Sequence, residues 1–141
     1  MKRLLLIFFS YIFKTDDFCE KYPISVKARI NDGDRTLIVK NERKTWDLPG
    51  GKVEKDDSLI ETLKREITEE FNVKIEVGKL VFCENVLVNG VRLLIVVFDA
   101  KIVSNDPIKL SFENFDYNFI SQAEFNQYKF SNWLIKSNLI K

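Results

Sequence analysis

The sequence predicts an α+β domain, an α/β/α sandwich with one sheet held between helical layers, and three observations predict it. One amphipathic helix is written into residues 58–71, where Leu59, Leu63 and Ile67 recur at helical spacing and Ile60 and Phe71 widen the apolar stripe. Two hairpins flank that helix, one turning at Asn31-Asp32-Gly33-Asp34 and one at Asn89-Gly90. The run Leu93-Leu94-Ile95-Val96-Val97-Phe98 does not alternate, so its strand is expected to be covered on both faces. A chain of 141 residues, 45% apolar and 30% charged, is long enough to bury one proper core.

In chain order, Lys2-Arg3 precede an apolar run over residues 4–13 that has the n- and h-region pattern of a secretory signal. No small-x-small cleavage site follows, and about ten apolar residues fall short of a bilayer span. The run reads first as a buried element flanking the domain; a membrane anchor and a dimerisation element are its other readings. The chain is therefore divided into an N-terminal apolar extension, residues 1–22, and a folded domain, residues 23–141. Residues 24–30 and 36–40 form the strands of the first hairpin, and Trp46-Asp47-Leu48 runs into Pro49-Gly50-Gly51, where glycine permits close approach of backbone to a ligand. Ser58, or Asp56 or Asp57, can cap the helix. Strands over 80–88 and 91–99 follow, then a loop over 104–107, a short strand near 117–120, and one broken or two short helices over 122–139.

The composition removes several chemistries. Twenty-two basic residues against 21 acidic give a net charge of +1, no field for a long polyanion, so nucleic acid is not an expected partner. Cys19 and Cys83 are too few and too far apart for a disulfide framework or a zinc site, which favours a reducing, cytoplasmic setting. Histidine is absent, and with it the usual general base and any Ser-His or Cys-His machinery. Chemistry must run on carboxylates, lysines, arginines and metal.

The carboxylates sit on the helix. At about 100° per residue, Glu70 projects between Leu59 and Leu63 on the core-facing arc, with Glu66 and Glu69 beside it. An ionised carboxylate there is costly to bury without a cation, and its neighbours add like charge. Oxygen-only ligands suit Mg²⁺, with Mn²⁺ as the other candidate. The bland alternative is a solvated acidic face paired with Lys64 and Arg65.

Gly51, Asp57, Arg65-Glu66-Ile67, Glu69-Glu70 and Asn72-Val73, preceded by Pro49-Gly50, resemble the Nudix box G-x5-E-x7-R-E-U-x-E-E-x-G-U, with seven of its nine specified positions matched. The resemblance implies a Nudix-like fold with a mixed central sheet over residues 24–139. It also implies hydrolysis of a phosphoanhydride bond in a nucleoside diphosphate linked to another moiety, in MutT-like fashion on a nucleoside triphosphate. Glu66, Glu69 and Glu70 become metal ligands, with the Gly50 or Gly51 carbonyl a further candidate. Asp57 replaces the glutamate that the family ties to the box arginine, here Arg65, and its shorter reach points to reduced activity. Asn72 replaces a glycine where a helix end needs a left-handed residue, which asparagine tolerates.

Other site residues are carried over in the same way. Lys52 is a candidate phosphate contact or a plain surface lysine. Glu113, with Asp116 as runner-up, is the candidate loop acid that binds metal or acts as base. In Tyr128-Lys129-Phe130-Ser131-Asn132, Asn132 is a candidate base reader or a helix N-cap. Trp46 is a candidate for base stacking or a buried aromatic. Val88 stands fifteen residues beyond the box, where many ADP-ribose hydrolases carry proline, and no tyrosine lies at 89–91, as dinucleoside-polyphosphate enzymes tend to have. Two alternatives stay open: an ADP-ribose or nucleotide-sugar pyrophosphatase, and a weak or inactive nucleotide sensor. The expected partner is a nucleotide-type small molecule, and the chain is expected to be a monomer or homodimer.

Overall fold

The computed structural model describes residues 22–112, 114 and 116–140. The readings placed on residues 1–21, including the apolar run 4–13, and on Glu113 lie outside the described residues. Seven strands make one mixed sheet: β1 (Ile24–Asp32), β2 (Arg35–Lys40), β3 (Trp46–Asp47), β4 (Gly50–Lys52), β5 (Ile75–Val88), β6 (Val91–Ile102) and β7 (Asp116–Ile120). Helix α1 (Leu59–Phe71) packs on one face, while the 3-10 turn Gln122–Gln127 and the short helix α2 (Asn132–Ser137) end the chain on the other.

Strand alternation creates the two faces. In β2, Leu37 and Val39 join the core with Leu63, Ile67 and Phe71 of α1, whereas Ile38 between them joins a second core with Phe130, Trp133 and Leu134. Ile95, Val96 and Val97 of β6 are all buried, in keeping with a strand covered on both sides.

One strand changes partners. β1 pairs with β2 only at the hairpin tip, through Asn31↔Thr36 and Asp32↔Arg35, and then takes β4 through Lys27↔Gly50, Val26↔Gly51 and Ser25↔Lys52. Its other edge runs parallel to β6 from Ile24↔Leu94 to Ile30↔Ala100. This fork lays the Gly50-Gly51 pair against the middle of the sheet, beside α1. Gly50 has φ of +138°, and a Cβ there would strike the Val26 carbonyl oxygen, so no other residue fits.

The helix ends match their expected chemistry. Ser58 Oγ accepts from Glu61 N–H at 3.1 Å, and Asn72 adopts the left-handed conformation with φ of 59°, its N–H donating to the Thr68 carbonyl. The β5–β6 hairpin closes through Asn89 and Gly90 at φ of 50° and 81°, a two-residue turn of the primed type. β5 starts at Ile75, earlier than expected, because irregular register between Val77, Leu80 and Phe82 breaks the alternation that would have marked it. β3 and β4, of two and three residues, are too short to carry a periodic signal in the sequence.

Candidate active site

Two carboxylates of α1 converge on the glycine pair. Glu70 Oε2 accepts from Gly50 N–H at 3.2 Å. Gly51 lies so close to Glu66 that a Cβ there would collide with its carboxyl group. One glycine is thus required by the sheet and the other by the acid.

Glu70 carries the energetic strain expected of its core-facing position. Burial pushes its pKa up to about 7, with the neighbouring Glu66 charge adding to the rise, against the lowering influence of Lys27, Asn114 and Gly50 N–H. Among the described residues Asn114 Nδ2 has no partner at full hydrogen-bonding geometry. The loop that brings Asn114 in is tied to the end of α1: Ser111 N–H donates to the Glu70 carbonyl at 2.9 Å and Lys109 N–H to the Phe71 carbonyl at 3.0 Å. These bonds also satisfy two of the helix's terminal carbonyls.

Arg65 gathers the remaining acids. Its Nη1 donates to Glu66 Oε1 at 2.9 Å and to Glu69 Oε2 at 3.4 Å, and its Nη2 reaches Asp57 Oδ2 at 3.5 Å. Asp57 therefore keeps the pairing expected of it, at the long limit its short side chain imposes. The Glu66 side chain is 21% exposed and the Glu69 side chain 61%, so Glu69 stands toward solvent. Among the described residues no three acidic or thiol side chains are already gathered at metal-binding distance.

The donor set nonetheless fits a hard divalent cation. The acids beside Gly50-Gly51, Glu66 and Glu70, offer only oxygens, and burial raises the Glu70 pKa because the protein supplies too little positive charge to match it. A divalent cation would supply it, and Glu66 and Glu70 would hold it, while Glu69 of the same helix stands toward solvent.

On the α2 side of the sheet lies a cavity of about 470 Å³. Its walls come from β1 (Ser25, Lys27), the β2–β3 segment (Arg43, Asp47) and the segment around α2 (Lys129, Asn132). Lys27 belongs to this wall, and its strand partner is Gly50, whose N–H donates to Glu70, so one residue pair of the sheet links the cavity to the carboxylates. The position of Asn132 is set by a backbone ladder, in which Trp46 N–H donates to the Lys129 carbonyl at 2.8 Å and Ser131 N–H to the Trp46 carbonyl at 3.1 Å. Ser131, not Asn132, is the N-cap of α2, which leaves the exposed Asn132 side chain on the cavity wall.

The other candidates fall elsewhere. Trp46 packs edge-on against Tyr128, with ring centroids 5.1 Å apart, and Lys40 Nζ lies 5.8 Å from its ring, so its side chain belongs to the framework. Lys52 is exposed at the end of β4, opposite Ser25. Asp116 opens β7, and its side chain accepts from its own neighbour, Tyr117 N–H. Sequence reasoning missed Lys27 and Asp47. Polar Ser25, Lys27 and Arg29 alternate with apolar Val26, Ala28 and Ile30, which could have marked one face of β1 as the side of a cleft.

Fold and site define a hydrolase acting on phosphoanhydride bonds, a class whose members generally use divalent metal ions and take nucleotide-type small molecules. The chain belongs to the NUDIX family, whose domain model matches residues 21–136. It is similar to the crystal structure of the MutT protein from Methanosarcina mazei Go1, at 27% identity and a TM-score of 0.72 over 85% of this chain and 91% of that one. The MutT NUDIX hydrolase from Burkholderia pseudomallei shares the fold at 21% identity and a TM-score of 0.74, over 86% of this chain and 100% of that one. So does an ADP-ribose pyrophosphatase from Streptococcus suis 89-1591, at 19% identity and 0.69, over 84% and 89%. No curated protein matches the chain significantly. No helix among the described residues is long and apolar enough to cross a membrane.

Proposed function

We propose that the protein hydrolyses a nucleoside triphosphate with Mg²⁺ held by Glu66, Glu69 and Glu70, the nucleoside lying in the cavity bordered by Asn132. The observation that supports this reading is Lys27, which lines the cavity and pairs through its backbone with Gly50, whose N–H donates to Glu70, so that a nucleotide seated there presents its phosphates to the carboxylate helix. Mn²⁺ meets the same oxygen donor set. The Gly50 or Gly51 carbonyl is a further candidate ligand.

A bound divalent cation supplies stabilisation of charge on the phosphate oxygens and a more acidic water. The chain's own groups do the rest. Gly50 N–H fixes the orientation of Glu70, and Arg65 fixes Glu66. Lys27 and Lys52 offset phosphate charge, the second from the free end of β4. Asn132 presents an amide that can donate to and accept from a base edge. Trp46 serves through its backbone, holding the segment that carries Asn132. The loop acid stays assigned to Glu113, with Asp116 as runner-up.

The test is phosphate and pyrophosphate release from nucleoside triphosphates, ADP-ribose, dinucleoside polyphosphates and nucleotide sugars, with and without Mg²⁺. Metal-dependent turnover of the triphosphates is the expected result. Turnover confined to ADP-ribose or nucleotide sugars would replace the substrate. Silence across the panel, in a folded protein that binds Mg²⁺, would favour a nucleotide sensor, a reading supported by the grip of Arg65 on three acids. On its two widely spaced cysteines we assign it a reducing, cytoplasmic setting, as a monomer or homodimer.

A further inference from the structure

We propose that Asp47 is a specificity-determining residue that selects a nucleobase carrying an exocyclic amino group; this rests on the nucleoside occupying the Asn132 cavity. Asp47 is the one acid among the residues that line that cavity. Each of its oxygens already accepts one bond from the protein: Oδ1 from Leu48 N–H at 2.7 Å and Oδ2 from Trp133 Nε1–H at 3.2 Å. Trp133 is only 4% exposed and packs in the second core, so the carboxylate plane is fixed by a side chain that cannot turn.

A carboxylate oxygen has two lone pairs, so each oxygen keeps one for a ligand, and a carboxylate accepts only. Whatever faces Asp47 must donate. The same cavity wall holds groups that either donate or accept, among them the Asn132 amide and the Ser131 hydroxyl, whose Oγ is buried without a partner among the described residues. An unpartnered buried hydroxyl on a cavity wall is a group waiting for a ligand atom.

The nucleobases divide on this requirement. Guanine offers two adjacent donors, its ring N–H and its amine, and cytosine and adenine each offer an amine. Uracil and thymine offer one ring N–H flanked by two carbonyls, which a carboxylate repels. Hypoxanthine is guanine without the amine. A site built to bond a donor rejects the analogue that lacks it more strongly than an apolar pocket rejects a change of size.

The experiment is equilibrium binding of GMP, IMP, CMP and UMP to the full chain in EDTA, followed by calorimetry or tryptophan fluorescence, so that neither metal nor turnover enters. We expect GMP to bind at least about 10-fold more tightly than IMP, and CMP than UMP, and Asp47→Asn to bring both ratios to within about 3-fold. Trp133→Phe, which keeps the acid and frees its plane, should lower the ratios part of the way. Ratios near one in the native protein, no mononucleotide binding, or unchanged ratios in Asp47→Asn would each overturn the proposal. Amine selectivity without hydrolysis of any triphosphate would sustain it while sinking the triphosphate reading. Magnesium-dependent hydrolysis of triphosphates without amine selectivity would do the reverse.

Discussion

The two faces of the sheet hold their polar groups by different means. On the α1 side, one continuous helix presents Glu66, Glu69 and Glu70, and its register alone sets their spacing. On the α2 side, the cavity is assembled from strand β1, the β2–β3 segment and the chain around α2, held by long-range bonds such as Trp46 N–H to the Lys129 carbonyl and Trp133 Nε1–H to Asp47. Groups set by one helix share a single local geometry. Groups drawn from three segments can be retuned one at a time, which is the arrangement expected where chemistry stays constant and substrate varies.

Substitutions on the two sides are expected to separate in their kinetics. The largest effect is expected from Glu70→Gln, a loss on the order of 10³-fold in kcat, with circular dichroism unchanged; near-normal turnover would remove Glu70 from the chemistry. Gly51→Ala comes next, because its methyl group displaces the Glu66 carboxyl, and a misplacement of about 1 Å is expected to cost on the order of 10²-fold. Asn132→Ala should act on the other side, raising KM about 10-fold with kcat little changed. A matching fall in kcat would join the two faces into one unit.

Glu70 also gives the metal-free protein a pH signature. Its folded pKa of about 7 lies above the unfolded value of 4.5, so the folded state binds the extra proton and stability is fullest below pH 4.5. This group's contribution is lost progressively as pH rises from 4.5 through about 7, by roughly 3 kcal/mol in all. Urea unfolding in EDTA between pH 5 and 8 should show the decline, and Glu70→Gln should flatten it. The smallest effect is expected from Asp57→Glu. Its longer side chain shortens the 3.5 Å contact to Arg65, and a rise in kcat of about 2- to 5-fold would show that the short acid limits the rate.

The sequence made the helix side legible and the cavity side hardly at all, for a physical reason. The periodicity of Leu59, Leu63 and Ile67, the Ser58 cap, and Asn72 at the helix end are local properties, and local patterns survive in a linear string. The Asn89-Gly90 turn and the double-faced strand β6 were readable on the same grounds. The glycine pair was recognised as a site of close approach, but not that Gly50 answers to β1 and Gly51 to Glu66. Lys27 and Asp47 stayed hidden because their roles depend on residues far along the chain. Trp133, for instance, lies 86 positions from Asp47.

The parallel pairing of β1 with β6 sets the order in which the molecule can assemble. Ile24 finds its partner at Leu94, after the glycine pair and the whole acidic helix have already been made. A chain emerging from the ribosome therefore carries its carboxylates before there is a completed sheet for them to lie against. Long-range parallel pairing is intrinsically slow, since loop closure must precede any contact that rewards it. The strand that completes the framework arrives late, so the burial of Glu70 against Gly50 belongs to the finished fold and not to the growing chain.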